Sequence, residues 1–115
     1  MENLKDVAEK YGSRYDFALG SIIDTDFIDR LVDQFQPDVI VNFAAESHNS
    51  RAILNPTIFF QTNLIGTQTK HQIAHKHNVS HFHHISTCEV YGDLALDSDA
   101  TFNELSPYRP RTPYN

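Results

Sequence analysis

Phe82-His83-His84-Ile85-Ser86-Thr87-Cys88-Glu89-Val90-Tyr91-Gly92 reads as a short strand that runs out into polar residues. The strand, residues 82–85 with His81 just ahead of it, stops where its side chains begin to turn outward. In open α/β sheets that edge, the carboxyl end of the strands, is where ligands bind. A hydroxyl, a thiol and a carboxylate follow on consecutive residues, Thr87, Cys88 and Glu89, with Tyr91 two positions further on. Glu89 is the candidate general base by type and position. Cys88 has two readings: a nucleophile if His48 comes near it, or a small buried thiol, the commoner case. Tyr91 and Tyr114 sit beside glycine or proline, where loop packing competes with a part in proton transfer.

Outward from this stretch, helix and strand patterns alternate. Leu4, Val7, Ala8 and Tyr11 recur at helical spacing, with Gly12 as a stop signal, which predicts a helix over residues 1–11. Residues 15–20 alternate large and small side chains and predict a strand. Asp24 or Thr25 can cap a second helix, whose apolar stripe is Phe27, Ile28, Leu31, Val32 and Phe35, and Pro37 ends it. Val39-Ile40-Val41-Asn42-Phe43 has the near-continuous apolar character of a strand buried on both faces.

Residues 44–54 are polar and irregular. Asn55-Pro56 is a helix-start signal, with asparagine as cap, and predicts a helix reaching about residue 77. Phe59, Thr62, Asn63, Gly66, Thr69, Lys70 and Ile73 share one face of it, with Gly66 allowing close packing. Residues 93–115 read as loop. Strands alternating with helices imply an α/β fold with a parallel sheet. The polar segments after residues 43 and 85 then leave the same sheet edge and should converge.

A chain of 115 residues holds at most one small domain, and 40% hydrophobic residues suffice for a modest core. The net charge of -6, with nine scattered Lys and Arg residues, argues against nucleic acid as a partner. No apolar run approaches the ~20 residues of a membrane span, and the first residues lack the form of a signal peptide. Cys88 is the single cysteine, so an internal disulfide is impossible and a reducing cytoplasm is the expected compartment.

Gly12, Gly20, Gly66 and Gly92 are the glycines present, so neither G-x-G-x-x-G nor a P-loop occurs, and any phosphate cradle lies outside these residues. Glu46, Ser47 and His48 end a strand and read equally as a ligand-binding rim or an ordinary polar loop. His71 and His75 have the i, i+4 spacing of metal ligands on a helix, but no nearby cysteine or carboxylate completes a set. They are read as solvated, and no metal site is expected.

Three motifs together resemble the nucleotide-sugar dehydratases of the extended short-chain dehydrogenase/reductase family. They are Asn42-Phe43-Ala44-Ala45-Glu46-Ser47-His48, Gln61-Thr62-Asn63-Leu64-Ile65-Gly66-Thr67 and His83 to Gly92, and the resemblance runs the length of the chain. Ser106-Pro107-Tyr108 and Thr112-Pro113-Tyr114-Asn115 look like the approach to that family's Tyr-x-x-x-Lys pair.

The resemblance implies a partial Rossmann-like, doubly wound parallel sheet holding strands 3 to 5, so that residues 1–115 form part of an NAD-binding domain. The first two strands, the glycine-rich loop, the lysine and the substrate-binding region would lie outside it. It implies a parent homodimer and a nucleotide-activated hexose, dTDP-glucose first, dehydrated with NAD as cofactor. A sugar epimerase or decarboxylase of the same superfamily and a non-catalytic remnant are the alternatives. The 115 residues alone are expected to fold marginally, bind NAD poorly and show no turnover.

By the same resemblance Tyr114 matches the catalytic tyrosine, Thr87 the group on the sugar 4-hydroxyl, and Glu89 the base that removes the C5 proton. Cys88 stands where the family has an aspartic acid to protonate the 6-hydroxyl. Ala44, Ala45, Ser47, Thr62 and Ser86 match positions lining the NAD site. Ser21 replaces the aspartate that holds the adenine, and Ile22 would pack on its ring.

Overall fold

Two short parallel strands carry the architecture. β1 (Val39–Asn42) and β2 (His81–His84) pair with Val39 opposite His81 and Asn42 opposite His84. Parallel neighbours cannot be joined by a tight turn, so the chain crosses over between them. That crossover consists of α3 (Asn49–Leu54), α4 (Pro56–Phe59), a π-helical segment Phe60–Gly66 and α5 (Thr67–Lys76). The computed structural model describes residues 2–115, so Met1 of the expected first helix lies outside the described residues. The rest of that helix is a 3-10 turn, Glu2–Leu4, running into α1 (Lys5–Tyr11).

α2 (Thr25–Phe35) starts where its sequence says it should. The Asp24 carboxylate accepts the Phe27 amide at 2.9 Å, satisfying one of the free donors of the first turn. It stops at Gln36, which takes the left-handed conformation (φ 44°) just before Pro37. The face read from the long helix is the one that packs: Phe59, Gly66, Thr69, Lys70 and Ile73 are buried, and Thr62 and Asn63 are half-buried. Asp29 of α2 pins this helix at its far end, 2.7 Å from both Lys76 Nζ and His77 Nε2. Hydrogen bonds from Lys76 and then His77 hold the Asp29 carboxyl below its usual range.

Four expectations are corrected. Residues 15–20 form no strand, since β1 and β2 pair only with each other and a strand needs a hydrogen-bonded neighbour. Residues 49–54, expected to be irregular, form α3, whose Ala52 is fully buried. β1 is covered on one face only. Asn42 is buried beneath the helices, while Val39 and Val41 on the other face are each 49% exposed. Asn55 makes no side-chain cap, although Pro56 does open α4.

The core is thinner than the composition suggests. Val32, Ala52, Phe59, Ile73 and Ala74 are the buried apolar side chains among the described residues, while Phe43, Leu54, Leu64 and Leu105 stand in the open. The radius of gyration is 17.2 Å, against about 13 Å for a compact domain of this length. No helix among the described residues is long and apolar enough to cross a membrane.

Gly66 marks the tightest packing of the long helix. A Cβ placed there would lie 2.6 Å from Ile22 Cγ1. Alanine normally stabilises a helix interior over glycine by roughly 0.5–1 kcal/mol. Here overpacking, at about 1–3 kcal/mol, reverses the sign. Urea unfolding of Gly66→Ala is expected to show a net loss of stability, and adding Ile22→Ala to recover part of it.

Candidate active site

The edge where β1 and β2 end is built on one buried amide. Asn42, 2% exposed, closes β1, and its Oδ1 accepts the backbone N–H of Ala44 at 3.1 Å and a hydrogen bond from Lys70 Nζ. Its Nδ2 reaches Thr67 Oγ1 at 3.3 Å and His84 Nδ1 at 3.0 Å. One side chain thus joins the end of β1, the loop after it, α5 and the end of β2. Lys70 is 6% exposed, and burial pushes its ammonium down to about 8. Burial, then the charges of Lys70 and His71, lower His84 as well.

A second asparagine fastens the loops. Asn63, in the π-helical segment, accepts the Glu46 amide at 2.8 Å and donates to the Glu46 carbonyl at 2.9 Å and the Tyr114 carbonyl at 3.1 Å. Single π-type turns recur at functional sites because they re-aim side chains on an otherwise regular helix.

Glu89 sits in a 3-10 turn, Cys88–Tyr91, that begins at Thr87, whose Oγ1 accepts the Glu89 amide at 3.3 Å. The Glu89 carboxylate accepts Asn49 Nδ2 at 2.9 Å, and its carbonyl accepts Asn115 Nδ2 at 2.8 Å. Thr112 Oγ1 lies 3.3 Å from Asn49 Oδ1 and 3.2 Å from Asn115 Oδ1, which closes the loop of contacts. The polar segments after β1 and β2 therefore converge, as the order of elements implied, and the 111–115 turn joins them.

These segments enclose a cleft of about 280 Å³ lined by Ala44, Ala45, Ser86, Thr87 and Tyr114 together with apolar residues of the long helix. Five of the sequence-derived site residues meet there. Thr87 and Ser86 also line a second, more open cavity of about 650 Å³, walled by Cys88, Tyr91 and Tyr108. Glu89 lines neither cavity; it is half-buried, with its carboxylate on Asn49.

Four others line neither cavity. Ile22 packs on Gly66, and Ser21 turns the chain toward α2, its carbonyl accepting the Asp24 amide at 3.1 Å. Ser47 is exposed on the loop, and Thr62 is half-buried beside Asn63 without lining the cleft.

Cys88 is exposed, so it is not a buried thiol, and its side chain makes no hydrogen bond among the described residues. Tyr91 is packing: its ring stacks on Phe102 (5.3 Å) and Tyr108 (5.6 Å). His71 lies against the Phe82 ring at 4.0 Å, and no group of three or more potential metal ligands occurs among the described residues.

A parallel α/β unit with its cleft at the carboxyl ends of adjacent strands has the architecture of a partial Rossmann-like fold. The family model described as GDP-mannose 4,6 dehydratase matches residues 1–115, and the chain belongs to that family. A dTDP-glucose 4,6-dehydratase of Haemophilus influenzae is 42% identical over 111 residues, 89% of this chain and 32% of the relative. The chain thus spans about a third of the length of that curated relative.

The crystal structure of DesIV, a dTDP-glucose 4,6-dehydratase from Streptomyces venezuelae with NAD and TYD bound, superposes with a TM-score of 0.87 at 38% identity. That match covers 98% of this chain and 33% of DesIV. The UDP-Glc/GlcNAc 4-epimerase of Campylobacter jejuni shares the fold, with a TM-score of 0.84 at 24% identity over 96% of this chain and 32% of its own.

Two measurements check this geometry. Lys70 titrates near 8 in the folded chain against an ordinary value of 10.5. The unfolded chain therefore holds more protons between those values, and stability should rise with pH across that window. The rise should be absent from the stability curve of Lys70→Met, which is expected to be more stable at pH 7 by about 1 kcal/mol, a buried charge having been replaced by an apolar chain. Asn63→Leu removes three hydrogen bonds, and hydrogen exchange at the Glu46 amide is expected to accelerate by about ten-fold or more, from a loss of roughly 1–3 kcal/mol.

Proposed function

We propose that these 115 residues form the central part of the NAD-binding domain of a nucleotide-sugar 4,6-dehydratase, acting on dTDP-glucose within a chain of its relatives' length. The observation that carries the proposal is the ring of side chains that holds Thr87, Glu89 and the Tyr114 turn at one strand edge.

The cleft fits one end of the cofactor. Ala44 and Ala45 present almost no side-chain bulk opposite Ser86 and Thr87, leaving room for one flat ring and its sugar, not for a whole dinucleotide. Ala44, Ala45, Ser86 and Tyr114 would hold that end; Ser47, Thr62, Ser21 and Ile22 would serve the remainder only from positions outside this cleft. NAD+, when bound, would supply the hydride acceptor for C4 and the hydride donor for C6.

The protein's part is proton management. Tyr114, as tyrosinate, takes the 4-hydroxyl proton while Thr87 holds that oxygen. The resulting 4-ketone acidifies C5–H, which Glu89 removes; the 6-hydroxyl gains a proton and leaves as water, and Glu89 gives its proton back to C5 when the hydride reaches C6. Cys88, whose exposed thiol lines the second cavity, would give that proton. The single cysteine fits a reducing cytoplasm, and the family resemblance favours a homodimer.

Incubation of the relatives-length protein with dTDP-glucose and NAD+ should give a product lighter by one water. A C4 epimer of unchanged mass, or loss of carbon dioxide from a uronic acid substrate, would move the assignment to an epimerase or decarboxylase. Glu89→Gln is expected to lower water loss by about 10²–10⁴-fold, with a 4-keto sugar that retains its 6-hydroxyl building up. Cys88→Ser should slow the same step, and an unchanged rate would remove Cys88 from the mechanism.

A further inference from the structure

We infer that Lys70 and Asn42 form a tautomer lock that holds His84 neutral with its proton on Nε2, making the cleft wall a fixed hydrogen-bond donor at that point. What each group can donate or accept fixes this assignment. A backbone N–H and a lysine ammonium only donate, and the Ala44 amide (3.1 Å) and Lys70 Nζ both face the same atom of the Asn42 side chain. That atom must be the amide oxygen. The amide NH₂ is then turned toward Thr67 Oγ1 at 3.3 Å and His84 Nδ1 at 3.0 Å. An NH₂ group cannot accept, so Nδ1 must offer its lone pair and the ring proton sits on Nε2.

The opposite ring nitrogen is left over. His84 is among the residues lining the cleft, and its Nε2 has no hydrogen-bond partner among the described residues. An acceptor oxygen of a bound molecule, such as a carbonyl or hydroxyl, meets a donor there, whereas an N–H group does not. Protonating Nδ1 would set two donors against each other, so the imidazolium is disfavoured by the same geometry. The charges that face the ring act in the same direction: Lys70 and His71 both belong to α5, while β1 offers only the neutral amide of Asn42. Lys70 therefore acts through Asn42, as a positioning residue. A charge buried to 6% exposure on a neutral acceptor has a use here that packing alone would not require.

The test needs neither cofactor nor substrate, so it stands apart from the functional assignment. Nitrogen-15 NMR of histidine-labelled protein distinguishes the two neutral tautomers and the imidazolium directly. At pH 7 the His84 ring is expected to show an unprotonated Nδ1 and a protonated Nε2. In Asn42→Asp the carboxylate accepts where the amide donated, so the ring's titration midpoint should rise by about one pH unit or more. Lys70→Met, which keeps the volume of the buried chain, should raise it by less and leave the tautomer populations more mixed. A wild-type ring protonated on Nδ1, or a midpoint at or above that of an ordinary histidine in the wild type, would overturn the lock without recourse to any variant.

Discussion

The structure hangs on the Asn42 amide. A parallel strand that ends in a polar side chain under a helix must satisfy that side chain internally, because leaving a buried amide unpaired costs about 1–3 kcal/mol for each group. Asn42 meets the requirement by bonding to four residues on three different segments at once. Those bonds set the direction in which the chain leaves β1, the height of α5 over the sheet, and the orientation of His84 at the end of β2. The cleft is the space that remains once these are fixed. Its Ala44–Ala45 wall is positioned by the amide of Ala44, so the site and the fold share one point of support.

Asparagine does similar work at the other joints. Asn63 ties the 46 loop to the 114 turn, and Asn49 and Asn115 grip Glu89 from two sides. An amide can donate and accept in one plane without carrying charge, so it can bridge irregular segments at a ligand edge without altering the electrostatics of a nearby carboxylate as an ammonium would. The apolar contribution is correspondingly small. With only a few buried apolar residues and large ones such as Leu54 and Leu64 in the open, polar bridges carry an unusual share of the specificity.

Much of this was legible in the sequence. Helix α2 declared itself through Asp24 and its apolar stripe, and the buried face of the long helix followed from Phe59, Gly66, Thr69 and Ile73 at their spacing. The convergence of the two polar loops followed from the order of elements alone. Residues 15–20 were misread because side-chain alternation describes one segment and says nothing about a neighbour to pair with. The double burial expected for β1 failed for a related reason: an apolar run records the capacity to be covered, and only its Ile40–Asn42 face has a cover among the described residues. The asparagines were missed because their value lies in contacts 17 to 51 residues away along the chain. Lys70 was noticed only as part of a helix face, although a lysine on an otherwise uncharged stripe was the one signal that a buried acceptor faced it.

The edge organised by Asn42 is where the ligand is expected to sit, and crystals grown with NAD+ and dTDP would reveal it. A flat ring is expected in the cleft between Ala44–Ala45 and Ser86–Thr87, beside Tyr114, with the Asn42 bonds to Ala44, Lys70 and His84 retained. A ligand ordered at another edge of the sheet, or one bound in the cleft only after those bonds have broken, would contradict it.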